Sequence, residues 1–434
     1  MLNFICEWID RSVAEPDEYE STFAQFYIRV NDCYLTKVLR AGADERNYIR
    51  IPVYSVAEWI VYNWWTLLYE VESPFRDYNS FILRHSLLSG ADGYAIPNII
   101  FYPQTPNIQI CCNENRKSLS NIVFVNIDEN FLVGQDVLAA SFEQLITSTL
   151  ARLNEKGFKS TPLHQRWAAI KNLSVEEQEY CKVCGMLGLD PFDVENSTSK
   201  RVIDVYEEIP SSVIVDFFST ASIETILDNA RIAKKFYRAA IPSVNISNLD
   251  EFKNKVIKRR EKKRNPLKPW NIGYRCARLL RKHFEFRDDK IATPNMIMDK
   301  IGVPKGIYSN VCKVVDYEQR KTIFSSYRTE DEKLCFSIAK GTSQQQAFYL
   351  ARAVYSHLSS DDAYRIITPS YTMDQQENRA FAAELIAPSS LLRKELHNAK
   401  FITHDDIERI SQEFNVYPKI IEHQIQNHFS IEIR

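Results

Sequence analysis

FAQFYIRV, from Phe23 to Val30, carries the β-branched and aromatic enrichment of a strand. YLTKVL, from Tyr34 to Leu39, carries the same β-branched and aromatic enrichment, with Asn31 and Asp32 as turn residues before it. NIIFYP, NIQICC and NIVFVNI begin at Asn98, Asn107 and Asn121, each short and bounded by Pro, Asn or Gly. Together these runs predict a compact sheet or sandwich. Between them, SVAEWIVYNWWTLLYE puts Trp59, Ile60, Trp64, Leu67 and Leu68 on helical spacing, and Ser55 with Glu58 has the S-x-x-E form of a capping box. The three tryptophans read as a helix buried against the sheet rather than as a ligand-stacking surface. Asp136 to Asn154 predicts a long amphipathic helix that closes this part of the chain.

Helical spacing dominates from about Ser160 to Ser247, as in SVEEQEYCKVCGMLG and ASIETILDNARIAKKFYRAA, the latter ended by Ile241-Pro242. PWNIGYRCARLLRKHF opens a further helix at Pro269, and TIFSSYR and KLCFSIAKG predict a small sheet that runs into another helix. THDDIERISQEFNVYPKIIEHQIQNH reads as two helices around a turn at Asn415 to Pro418, capped by Thr403. Helix–turn–helix is a DNA-binding arrangement, but Glu422 and His423 leave the second helix little positive charge, so packing on the core is the favoured reading. The expected fold class is α+β in three parts. Residues 1–157 form a β-rich α+β domain, 158–265 a helical connector ending in a basic linker, and 266–434 a second α+β domain with a terminal helix pair.

Composition narrows the chemistry. Lys+Arg 54 against Asp+Glu 56 gives a net charge of -2, so no global field draws the chain to nucleic acid or membrane. No apolar run approaches the roughly 18 residues of a membrane span, and MLNFICEWIDRS lacks the basic-then-apolar order of a signal peptide. A cytoplasmic location is the expectation. Nine scattered cysteines then predict free, buried thiols. Cys181 and Cys184 form a CxxC without a second CxxC or a His pair, on a helix ended by Gly185 or Gly188, and packing is the favoured role. Neither G-x-G-x-x-G, G-x-x-x-x-G-K-[ST] nor G-x-S-x-G occurs, so the common phosphate cradles and serine elbow are absent. One local patch stands out: Lys253, Lys255, Lys258, Arg259, Arg260, Lys262, Lys263, Arg264 and Lys268 face only Glu261 in the same interval. Such a run can neutralise phosphates in a strongly salt-dependent way, although a solvated linker is the blander reading.

Phe348 to Leu358 reads FYLARAVYSHL. With His at positions 352 and 356 and Glu at 353 it would be an H-E-x-x-H helix, in which two imidazoles one turn apart aim at one metal ion. The later segment YTMDQQENRAFAAELIAPSSLL runs from Tyr371 to Leu392. Phe348, Leu350 and Ala351 match the first helix, and Phe381, Ala382, Ala383, Glu384, Leu385 and Pro388 the second element, of the ImmA/IrrE-type metallopeptidases. From Pro269 to the C-terminus the chain resembles that family, including the P-W-x-x-G-Y-x-x-A-R-x-L-R opening and the closing F-x-V-x-P-x-I-I pair. The resemblance implies a zincin-like fold, and in active members a zinc ion and cleavage of repressors or regulators.

The departures fall on the chemistry. Arg352 stands at the first His, Ala353 at the catalytic Glu, Ser356 at the second His and Gln375 at the third ligand, with Glu377 two residues on. A unit charge about 4 Å from a permanently protonated guanidinium is repelled by about 4 kcal/mol at an effective dielectric near 20, and a divalent ion by twice that. Ser356 offers no imidazole nitrogen, and Ala353 cannot take a proton from water. His357 lies about 100° round the helix from the second ligand position, and the other histidines (His85, His164, His283, His397, His404, His423, His428) show no H-x-x-x-H pair. Arg352 is expected to be clamped by a carboxylate, Glu377 or Glu384. The resemblance then implies a pseudopeptidase without cofactor that acts on a protein partner, in a bacterial stress-response, mobile-element or anti-phage setting. Two other readings stay open: an active metallopeptidase with zinc on unconventional ligands such as His357 and Glu377, and nucleic-acid binding through residues 253–268.

Overall fold

In the computed structural model, Leu2–Trp8 (β1) and Phe23–Val30 (β2) pair antiparallel, from Leu2 opposite Val30 to Trp8 opposite Ala24. The described residues are all except 1, 12–14, 16, 41–44, 113–121, 126–129, 262–267, 287–292, 318–324 and 397–398; the side chains of 40, 247 and 259–261 also lie outside them. The period-two pattern of β2 buries Ala24, Phe26, Ile28 and Val30 on one face. YLTKVL does not continue as one strand. Tyr34 ends a two-residue strand (β3, Cys33–Tyr34), and Val38 opens another (β4, Val38–Arg40). Between them, buried Thr36 accepts from Ile28 N–H at 3.1 Å and donates to Asn47 C=O at 2.7 Å. A side chain thereby takes the place of a ladder hydrogen bond, and the strand breaks there.

Strand β5 (Ile49–Pro52) pairs with β2 and leads directly into helix α1 (Val53–Tyr62), followed by α2 (Trp64–Tyr69). The helix predicted as one piece is interrupted at Asn63, whose Nδ2 donates to Trp59 C=O at 2.9 Å. The capping box does not form. Pro52 occupies the N-cap, Ser55 sits within the first turn, and Glu58 instead accepts from the Tyr54 hydroxyl at 2.9 Å. Trp64 and Trp65 are buried, and Trp64 meets Trp167 edge-on at 5.1 Å between centroids. These tryptophans therefore build core.

Helix α3 (Tyr78–His85), the three-stranded sheet of β6 (Ile99–Pro103), β7 (Asn107–Cys112) and β9 (Phe131–Gly134), and strand β8 (Ile122–Phe124) against β4 complete the sheet region. Helix α4 (Gln135–Glu155) packs its Leu138, Phe142, Leu145 and Ile146 into the core. Helix α5 (Val175–Met186) begins at a Ser174–Glu177 capping box and ends with Gly188 in the left-handed region at φ +74. Burial pushes the Cys181 thiol up to about 12 and the Cys184 thiol to about 11, so both stay protonated and unreactive at neutral pH.

A charged cluster that the sequence did not disclose lies in the same unit. Arg84 grips Glu70 with both Nε (2.7 Å) and Nη2 (2.6 Å), His85 Nε2 lies 3.1 Å from the same carboxylate, and His85 Nδ1 faces Phe101 C=O at 2.9 Å. Burial raises the Glu70 carboxyl, but its bonds and charges from Arg84 and His85 outweigh burial and hold it down at about 2, against an ordinary 4.5. Because the folded value lies below the unfolded one, this stabilisation is complete above about pH 4.5 and is lost as pH falls through about 2. The melting temperatures of the wild-type chain and Glu70→Gln are expected to differ most at neutral pH and to converge towards pH 2; a gap independent of pH would contradict the ion-pair reading.

The chain divides into two compact units, Met1–Ile203 and Asp204–Arg434. The stretch 158–265 is therefore not a body of its own. Helix α5 belongs to the first unit, whereas α6 (Ile226–Ala239) and α7 (Ser247–Glu261) belong to the second. The reason is visible in α6: its Phe236 C=O accepts from Ser337 within the sheet at 3.1 Å. The second unit continues with α8 (Pro269–His283), β10 (Cys312–Val315), β11 (Ser325–Glu330), β12 (Lys333–Ala339), α9 (Ser343–Ser359), β13 (Tyr364–Ile367) and α10 (Met373–Ile386). Strand order is β10–β12–β11–β13, parallel for β10 with β12 and antiparallel elsewhere. Helices α11 (Ser389–Leu396), α12 (His404–Phe414) and α13 (Pro418–His428) follow. The last two turn at Asn415, φ 52, and bury Ile407, Ile410, Phe414, Ile421 and Ile425, so this pair packs as core. The α+β class holds for both units.

Helices α8 and α10 approach closely at Gly273. A Cβ there would lie 2.2 Å from Glu377 C=O and 2.8 Å from Phe381 N. Gly273→Ala is expected to cost about 3 kcal/mol by forcing the helices apart, read as a lower denaturation midpoint; an unchanged midpoint would mean that the two helices separate freely.

Candidate functional site

The site is the crossing of α9 and α10, and each helix is started by its own sequence. Thr342 caps α9 by accepting from Gln345 N, while the Gln345 side chain accepts from Thr342 N–H at 3.0 Å. Thr372 caps α10 in the same way through Gln375 N. Alanines at 382 and 383 keep α10 narrow, Phe381 is fully buried, and Tyr355 of α9 stacks on Phe381 with centroids 4.7 Å apart. The two helices therefore meet with residues 352 and 375 facing one another.

Arg352 is 5% exposed. Its Nε donates to Asn378 Oδ1 at 2.6 Å, and its Nη2 donates to Thr368 C=O at 2.6 Å and to Gln375 Oε1 at 2.8 Å. Phe348, one turn earlier on α9, lies under the guanidinium at 5.8 Å. Burial pulls this group well below its ordinary value, and the neighbouring Arg379 adds to that. Three charge-assisted hydrogen bonds are each worth about 1.5–3 kcal/mol, of the same order as the several kcal/mol needed to desolvate a cation. The net gain is small; what the arrangement secures is the register of the two helices.

Gln375 is committed on its other side. Its Nε2 donates to Ile366 C=O and its Oε1 accepts from Thr368 N–H, both at 3.0 Å. That is the pattern by which a residue of a parallel strand brackets its neighbour. The carboxamide thus occupies main-chain groups at the end of β13, and Asn378 Nδ2 adds a third bond to Oε1 at 3.2 Å.

Arg352 and Gln375, which the resemblance would set at the first and third ligand positions, are thus brought together, and they do not fit a zinc ion. One is a cation, the other is a neutral amide engaged with main chain, Ala353 is fully buried without a polar group, and Ser356 carries only a hydroxyl. The guanidinium joins the two helices through Gln375 and Asn378.

The expected carboxylate clamp is corrected. All the acceptors of Arg352 are neutral: Asn378, Gln375 and a main-chain carbonyl. Glu377 accepts from the Tyr355 hydroxyl at 2.8 Å, and Glu384 accepts from Arg278 at 2.8 Å, from Ser389 at 2.9 Å and from Gln424 at 3.0 Å. The residues alternate round α10, so the two carboxylates point to α9's tyrosine and to α8 and α13 instead. His357 lies elsewhere again, with Nε2 3.1 Å from Asp250 of α7 and Nδ1 3.4 Å from Thr329. Burial lowers its pKa against the pull of Asp250. His357 and Glu377 are thus not paired as substitute ligands, and no group of three or more His, Cys, Asp or Glu residues gathers as a metal site among the described residues.

Of the basic run, Lys253 pairs with Asp361 at 3.0 Å, Lys255 with Glu251 at 3.5 Å, and Lys268 lies 5.4 Å from the Trp270 ring centre. The side chains of Arg259 and Arg260, and Lys262, Lys263 and Arg264, lie outside the described residues, as does His397. No helix among the described residues is long and apolar enough to cross a membrane. Sequence reasoning missed Asn378 and Thr368. Asn378 was detectable as the residue one turn after Gln375, whereas a main-chain acceptor leaves no trace in side-chain identity.

The chain matches no family profile, no curated protein and no solved structure.

Proposed function

We propose that residues 266–434, within the unit Asp204–Arg434, form a peptidase-like module kept without its reaction centre, and that the chain serves as a non-catalytic regulatory or scaffold subunit for a protein partner. The resemblance to ImmA/IrrE-type metallopeptidases is what supports a bacterial stress-response, mobile-element or anti-phage setting for this role. One observation carries the reading: the Arg352–Gln375 contact of 2.8 Å links the two aligned ligand positions through a fixed cation. Hydrolysis of a peptide by this family's chemistry requires an activated water, and Ala353 supplies no base for it. A scaffold held rigid by hydrogen bonds rather than by a metal remains suited to presenting a surface.

The test is proteolysis of unfolded protein substrates by the purified full-length chain with added zinc, with and without a chelator. No chelator-sensitive cleavage is expected; cleavage abolished by the chelator would restore the active-peptidase reading.

A further inference from the structure

Arg379 lies one turn beyond Gln375 on α10, and its guanidinium is only half used. Nη1 donates to Ser370 C=O at 2.7 Å. Nη2 is buried and has no hydrogen-bond partner among the described residues. A buried donor left unpaired costs about 1–3 kcal/mol, and more when the group is charged. Nearby acidity is already engaged: Asp216 accepts from Thr372 at 2.8 Å and faces Arg365 at 3.4 Å. The second guanidinium of the region, Arg352, spends its bonds on neutral oxygens. Over Arg379 lies the ring of Tyr371, 5.1 Å from its Cζ and itself 42% exposed. An aromatic ring at the surface can move aside at small cost, because it gives up little buried area. His423 of α13 also feels the charge of Arg379, and burial chiefly lowers its pKa.

A planar fork with a free donor and an exposed aromatic cover is suited to an oxyanion, since guanidinium matches carboxylate and phosphate geometry. We propose that the Arg379 fork beneath Tyr371 is a binding site for a single oxyanion of the carboxylate or phosphate type. The site stands independently of the silent-peptidase reading, because it uses none of the four degenerate positions.

The experiment measures modification of Arg379 by phenylglyoxal in the full-length chain, read by peptide mass spectrometry, in sodium phosphate, sodium acetate and sodium chloride at matched ionic strength. Arg231, exposed on α6, is the internal control. Phosphate or acetate is expected to slow modification of Arg379 about tenfold at roughly ten times its Kd, without protecting Arg231. Protection by phosphate alone assigns a phosphate ligand, and protection by both anions assigns a carboxylate-compatible one. The companion measurement is the anion-dependent rise in melting temperature, expected to vanish in Arg379→Gln and to weaken in Arg379→Lys. Equal protection in chloride, or an anion-dependent rise that persists in Arg379→Gln, overturns the site.

Discussion

Arg352→Ala is expected to loosen the α9–α10 crossing by about 3 kcal/mol. The substitution orphans Asn378 Oδ1 and Thr368 C=O, whereas Gln375 Oε1 keeps Thr368 N–H and Asn378 Nδ2. Two unpaired buried acceptors at about 1–2 kcal/mol each, with a small cavity added, outweigh the relief of no longer burying a cation. Hydrogen exchange in peptides spanning 343–386 should then quicken roughly a hundredfold, because about 1.4 kcal/mol corresponds to a factor of ten. Arg352→Met fills the volume but orphans the same acceptors, so it should fall between wild type and Arg352→Ala. If Arg352→Met instead slows exchange, the guanidinium is a buried liability rather than the tie between the helices.

The second large effect is a gain. Arg352→His, Ala353→Glu, Ser356→His and Gln375→Glu together are expected to create a site that holds one zinc ion per chain, with an affinity in the submicromolar range, better than about 8 kcal/mol. The reason is geometric. Residues 352 and 356 are one turn apart on α9, and 375 already touches 352 across the crossing. Arg352→His alone should bind no stoichiometric zinc, since it supplies a single imidazole. A folded quadruple variant that takes up no zinc would show that the four positions do not converge as the resemblance implies. The glutamate at 375 must also give up the bond from Gln375 Nε2 to Ile366 C=O, so the variant is expected to be less stable without metal than with it.

Much of this architecture was legible because it depends on local patterns. Strand β2 declares itself through its β-branched and aromatic residues, and its buried positions alternate, whereas α9 is buried without a break from Tyr349 to Leu358 and shows no such period. Boundaries set by side chains that replace main-chain partners were not legible: Thr36 splits a strand and Asn63 splits a helix, and each does so through a hydrogen bond that periodicity cannot register. The assignment of α6 and α7 to the second unit likewise depends on what they pack against, not on their own sequence.

At the site, the sequence singled out Arg352 but misjudged its partner. Charge complementarity favoured Glu377 or Glu384, yet the rotation of α10 turns those side chains to Tyr355 and to Arg278, and leaves Gln375 and Asn378 facing the guanidinium. Glu70 and His85 were invisible for a related reason, since residues 15 apart become neighbours only when α2 and α3 fold onto each other. Titratable groups far apart in sequence disclose their pairing only in three dimensions.

The most direct measurement is equilibrium dialysis of the wild-type chain against excess zinc, followed by elemental analysis. The guanidinium-for-metal account predicts no stoichiometric zinc in the wild type and one equivalent in the quadruple variant. One tightly held equivalent in the wild type, released by Arg352→His rather than created by it, would contradict the account.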